Sequence, residues 1–186
     1  MPGAESGGYS GKTLAAGWAL SHRNWIKTQY MARVPMPRML SPHFTLDEFT
    51  FSQTAARLGL DNTPDARTLK NLRHLAATLE QVRGALGDCP IIISSGYRSP
   101  ALNRAVGGSV HSAHMLGLAV DFTCPQYGSV LATARAAARS AVGFDQMILE
   151  YGRWVHLGIA EDAEVARGEL LSIGSSQTYV AGLRVV

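Results

Sequence analysis

The sequence is short of several things at once. Only two cysteines, Cys89 and Cys124, occur in 186 residues, too few for a disulfide framework and not arranged as a thiolate-rich structural zinc site. Each adjoins a proline at the edge of an expected strand, so the two can be sheet neighbours and still remain free thiols. No apolar run approaches the ~18 residues that a bilayer span requires, so no membrane partner is expected. No basic run interleaved with aromatics is present, and with it goes the usual signature of a nucleic-acid surface. The formal charge of +3 is mild; it suits an anionic polymer such as cell wall without demanding one. There is no internal repeat, and no linker after residue 44. What remains is a chain of ordinary globular composition, 46% hydrophobic and 17% charged, long enough for one domain with a substantial core.

Residues 1–43 read as a disordered or weakly ordered extension, because MPGAESGGYSGK is rich in Gly and Ser and offers no periodic apolar face. The segment TLAAGWAL is a poor match to a secretory signal, which needs a basic start and a longer apolar core. The domain is expected over 44–186. It begins with Thr45-Leu46-Asp47-Glu48, the form of a helix capping box, with Leu46, Phe49 and Phe51 supplying apolar contact. After the turn DNTPDA, Leu69, Leu72, Leu75, Leu79, Val82 and Leu86 recur at helical spacing up to Gly87, which predicts a long scaffold helix. PIIISS and AVDFT read as buried strands, with a short helix opening at Ser99-Pro100 between them. An alanine-rich helix from Ser129 to Val142 follows, with Arg135 and Arg139 on its wet face. QMILE and WVHLG then form a hairpin about Tyr151-Gly152-Arg153, and GELLSIGSSQTYVAGL a second strand pair about GSS. This order predicts an α+β fold: a single compact domain, an antiparallel sheet and helices mainly on one side.

The chemistry concentrates in Ser94–Pro125. His114 and Asp121 lie seven positions apart, and His156 follows in the hairpin. Two histidines and one carboxylate leave a coordination position open on zinc, the pattern of a catalytic rather than a structural site. Asp121 stands between Val120 and Phe122, where a buried carboxylate needs a partner. Gly117 allows a backbone shape or a close approach that a Cβ would obstruct.

Together, SGYRSPALN, GGSVHSAHMLGLAVDF and WVHLG resemble the zinc D-alanyl-D-alanine carboxypeptidase family, which includes phage murein endopeptidases. The family pattern Ser-x-His-x-x-Gly-x-Ala-x-Asp is filled by Ser112, His114, Gly117, Ala119 and Asp121. The resemblance implies the hedgehog/D,D-peptidase-like version of the α+β fold and one Zn2+ per chain held by His114, Asp121 and His156. It implies hydrolysis of a peptidoglycan stem-peptide bond by metal-activated water, as a carboxypeptidase or an endolysin-type endopeptidase. Arg98, in the SGYRS context, is implied to hold the substrate carboxylate or polarise the scissile carbonyl. Ser112, Tyr97 and Trp154 are candidate substrate contacts, and His111 is set aside because the motif's register favours His114. A monomer without nucleic-acid partners is expected, made in the cytoplasm in the manner of a phage-encoded lysis enzyme and acting on the wall after release.

The proton-transfer residue is open. Many family members place an acid three residues before the last histidine, where this chain has Arg153, and arginine cannot serve as a base. A three-residue hairpin loop would pair Glu150 with Trp154 and put Glu150, Trp154 and His156 on one face. A two-residue loop would turn Glu150 away and leave Asp145 as the alternative. With neither in reach, the chain would be a non-catalytic zinc-containing module that binds cell wall or peptide.

Overall fold

The computed structural model describes residues 37–161 and 165–186. The chain divides into a unit of residues 1–36 and a unit Pro37–Val186; the expected Gly/Ser-rich extension lies largely outside the described residues. The second unit opens with helices α1 (Leu46–Thr50), α2 (Gln53–Leu58) and α3 (Ala66–Ala85). Strand β1 (Ile92–Ser95), helix α4 (Pro100–Ala105), a 3₁₀ turn at Ala113–Leu116, β2 (Ala119–Thr123) and α5 (Val130–Arg139) follow. Four strands complete it: β3 (Gln146–Glu150), β4 (Trp154–Gly158), β5 (Glu169–Ile173) and β6 (Tyr179–Ala181).

Local chemistry sets the helix ends. Thr45 and Glu48 close the capping box, with the Thr45 N–H donating to the Glu48 carboxylate at 2.7 Å. Asp65 caps α3 by accepting from the Thr68 N–H at 2.7 Å. Leu72, Leu75, Leu79 and Val82 on one face of α3 are fully buried, and His74 on the other is exposed. Removing one such leucine side chain costs about 2–5 kcal/mol in a packed core. Phe51 departs from expectation. Leu46 and Phe49 are buried, but Phe51 stands 69% exposed at the end of α1, because the chain turns extended there and points the ring outward.

The six strands run in the order β1-β2-β4-β3-β5-β6. Four of the five pairings are antiparallel, and β3 with β5 is parallel. The parallel pair is a correction to a purely antiparallel sheet, and its cause is the route of the chain. From the end of β4 it passes the start of β3 and reaches the far side, where the Glu169 N–H donates to the Asp145 carbonyl at 2.9 Å. Alternation then gives the sheet two unlike faces. Val120, Phe122, Met147, Val155 and Leu157 enter the core with α3 and α5, while Asp121, Ile148, Glu150, Trp154 and His156 share the opposite face.

The ordered domain starts earlier than residue 44. The Leu46 N–H donates to the Arg38 carbonyl at 2.7 Å, and Met39 bridges Thr45. Glu80 of α3 then accepts from the Ser41 hydroxyl and the His43 N–H, each at 2.7 Å, and faces His43 Nδ1 at 2.9 Å. No local pattern signals this, because the anchor is a helix side chain 37 residues away. Burial pushes the Glu80 carboxyl up, but the hydrogen bonds from Ser41 and His43 outweigh it and hold it below its ordinary value. A depressed carboxylate stabilises the fold above its unfolded pKa, and that stability is lost as pH falls through the folded value. Glu80→Ala should therefore destabilise the protein by about 1–3 kcal/mol near neutrality. Wild type and variant should converge in acid, read by denaturant unfolding at several pH values.

Candidate metal centre

Three separate elements bring the donors together. Asp121 sits in the middle of β2 and pairs directly with His156 of β4, so register alone puts their side chains adjacent on one face. His114 arrives from outside the sheet on the 3₁₀ turn, which ends at Gly117 with φ +70°. A Cβ at Gly117 would lie 2.9 Å from the Thr68 carbonyl oxygen, so both roles expected of that glycine hold. The loop after β1 completes the frame. Gly96 lies against the Phe49 carbonyl with no room for a side chain, and Asn62 ties the loop down by donating to the Tyr97 carbonyl and accepting from the Ser99 N–H.

His114 is 2% exposed, and its Nδ1 faces the Gly96 carbonyl at 2.7 Å. Only a protonated Nδ1 can donate to a carbonyl, so the neutral ring carries its lone pair on Nε2, aimed at the other two residues. Nε2 of His114 lies 3.3 Å from Asp121 Oδ1 and 3.3 Å from His156 Nδ1. His156 Nδ1 lies 2.8 Å from Asp121 Oδ1. Donors around a tetrahedral zinc with bonds of ~2.0–2.1 Å are ~3.3 Å apart. Two sides of the triangle have that length, and the third, between His156 Nδ1 and Asp121 Oδ1, is shorter because the two are in hydrogen-bonding contact. The donor set fits zinc, and all three residues line the cleft. Among the described residues no other cluster of three His, Cys, Asp or Glu side chains meets these distances.

The electrostatics suit a bound cation. Burial pushes the Asp121 carboxyl up, but the His114 and His156 side chains outweigh it and hold it far below the usual carboxylate range. Burial drives the His114 imidazole down against the pull of Asp121, so the ring favours the neutral form that a metal needs. Arg98 places Nη2 3.9 Å from Asp121 Oδ2. Burial lowers the guanidinium pKa, Asp121 and Glu150 oppose it, and the buried Nε has no protein partner.

The hairpin loop is the three-residue one. Glu150 pairs with Trp154, and Gly152 takes φ +64° within the turn. Glu150 therefore stands on the His156 face, with Oε2 receiving the Trp154 indole N–H at 3.1 Å. Burial pushes the Glu150 carboxyl up, the Asp121 charge adds to this, and His156, Trp154 and Arg98 pull back less. Asp145, the alternative, lies at the other end of β3 and is engaged by Arg167 at 2.6 Å. That hydrogen bond lowers its pKa, which unsuits it for taking a proton near neutrality. Arg153 is exposed in the turn.

The cleft over these groups has a volume of about 820 Å³, and Ser112, His111 and Arg98 are on its wall. Ser112 makes no side-chain cap to the 3₁₀ turn, leaving its hydroxyl to the cleft, and His111 stays at the exposed rim, outside the donor triangle. Two expected contacts sit elsewhere. Tyr97 is largely buried and lies off this cleft, on the wall of the neighbouring hollow beyond Arg98. Trp154 contacts Glu150 and stacks near Tyr151, with ring centroids 5.6 Å apart, rather than lining the cleft. Tyr179 and Leu171, which sequence reasoning missed, supply the far wall. Their only signal was alternation in the last strands, and it gave no hint of which sheet edge those strands would join.

Two imidazoles and a carboxylate on one sheet face, with an open position and a carboxylate and a guanidinium alongside, mark the single-metal hydrolases. Within that class the chain belongs to the peptidase M15 family, whose model matches residues 42–158. It is also similar to the zinc D-Ala-D-Ala carboxypeptidase of Streptomyces albus G, at 39% identity over 70 residues, 38% of this chain and 26% of that protein. The chain thus matches about a quarter of the length of that curated relative. Metal analysis of the purified protein should find one zinc per chain. His114→Ala, Asp121→Ala and His156→Ala should each lose most of it, and His74→Ala should keep it, since three ligands act as a unit.

Proposed function

We propose that the protein is a zinc-dependent peptidoglycan peptidase that hydrolyses a bond of the stem peptide. The observation that carries this reading is Glu150 on the same face as the donor triangle, held at one oxygen by Trp154. Family membership supports the reaction class, and the Streptomyces relative, by its name a D-Ala-D-Ala carboxypeptidase, supports the substrate class.

Zinc, when bound, supplies a Lewis acid that polarises a carbonyl and makes a water molecule more acidic. The protein's residues do the rest. His114, Asp121 and His156 fix the metal, and Gly96 fixes the His114 tautomer. Glu150 Oε1, the oxygen that Trp154 leaves free, takes the proton of the attacking water and returns it to the leaving amine. A raised pKa suits this exchange, because a base works best when its pKa approaches the working pH. Arg98, buried and only loosely paired, offers N–H donors to a substrate carboxylate or to the oxygen on which negative charge develops. Ser112 is placed to hydrogen-bond the peptide. Release from the cytoplasm to the wall, as in phage lysis, is compatible with this role.

Glu150→Gln should keep the zinc and the melting temperature while slowing murein digestion at least ~100-fold, the scale of losing a general base. The acid side of the wild-type rate profile should lie above the ordinary glutamate range and vanish in the variant's residual activity. Arg98→Ala should retain zinc and lose turnover, and Arg98→Lys should recover only part of it, because a point charge does not reproduce the guanidinium fork. Mass analysis of the fragments identifies the bond cut. A wild-type protein that binds zinc but digests no murein would instead be a binding module.

A further inference from the structure

The cleft does not end at Arg98. A second hollow of about 510 Å³ opens beyond it, and the two share Arg98 and Val106 as lining. This hollow lies between the α1–α2 junction and β1, the edge strand of the sheet. The two hollows differ in chemistry. Asp121, Asp145, Glu150, Arg167 and Glu169 make the metal cleft densely charged. Among the described residues the second hollow contains no carboxylate, and Arg98 at the junction is its one charged side chain. Its polar lining includes Ser52, Gln53, Thr54, Ser95 and Tyr97, with the exposed Phe51 ring also on its wall. Phe51 is 69% exposed beside fully buried Phe49, so folding gives no reason for an aromatic there.

We propose that this hollow binds the N-acetylated amino sugar from which the stem peptide hangs, so that one continuous groove reads glycan and peptide together. The inference rests on the murein-peptidase reading and deepens it. A pyranose ring presents C–H bonds to the negative face of an aromatic ring. Its hydroxyls and acetamide need neutral donors and acceptors at the wall, which this hollow offers. The stem peptide carries carboxylates and, at its diamino acid, an ammonium group, so it belongs in the charged cleft. The volume lies within the ~300–1,000 Å³ of small-ligand sites.

The test compares a free stem peptide with the same peptide attached to its N-acetylglucosamine–N-acetylmuramic acid disaccharide. Wild type should cleave the glycan-linked form with a kcat/KM at least ~5-fold higher, in keeping with one aromatic contact. Phe51→Ala should lower that value to the free-peptide level and leave the free-peptide rate unchanged, while Phe51→Trp should keep the preference. The disaccharide alone, titrated calorimetrically, should bind wild type and fail to bind Phe51→Ala. Equal cleavage of both substrates by wild type, an equal loss on both in Phe51→Ala, or no disaccharide binding would overturn the sugar site while leaving the hydrolytic reading standing. Disaccharide binding that depends on Phe51 in a protein that cleaves neither substrate would support the site and overturn the hydrolytic reading.

Discussion

A buried carboxylate is the constraint around which this protein is arranged. Asp121 occupies the middle of a strand whose neighbours are fully apolar, and such a group is tolerated only with charged or hydrogen-bonding partners. His156 comes to it by strand register and His114 by a turn packed against α3. The same geometry that satisfies the carboxylate creates a metal triangle. The scaffold helices add no chemistry, but α3 supplies the Thr68 carbonyl against which Gly117 must lie. A change in helix packing would therefore reach the metal through His114.

The second carboxylate solves a different problem. Glu150 precedes His156 by six positions, and the three-residue turn sets it across from Trp154 on the same face. The indole N–H fixes one oxygen without neutralising the group, and the surrounding burial raises its proton affinity. Asp121 and Glu150 are thus driven in opposite directions by their surroundings: the Asp121 carboxyl is held below its ordinary value and the Glu150 carboxyl above it.

The last two strands extend the working surface beyond the stretch matched by the family model. The Tyr151 hydroxyl donates to Gln177 Oε1 at 3.0 Å, and the Tyr151 N–H donates to the Ile173 carbonyl at 2.8 Å. The tip of the β3–β4 hairpin is in this way joined to the β5–β6 turn. Ile173 and Tyr179 lie in one cross-strand row with Glu150, so these strands both brace the glutamate and wall the cleft.

The sequence by itself determined what depends on local pattern. The capping box at Thr45, the apolar stripe of α3, the strand at Asp121 and the three metal donors are all written in short-range spacing or in a motif keyed to residue type. For the base it left open Glu150, another carboxylate such as Asp145, or none, and stated the loop length on which Glu150 depended. Tertiary structure decided the rest, because the deciding contacts join residues far apart in sequence. Arg167 takes Asp145 out of contention from 22 positions away. Glu80 ties Ser41 and His43 to α3, and the parallel β3–β5 pair depends on which side of β3 the chain passes. Tyr97 and Phe51 exchanged expected places, one largely buried and the other out at the surface. Both are aromatic and locally ambiguous, and only the tertiary fold fixes which of them meets solvent.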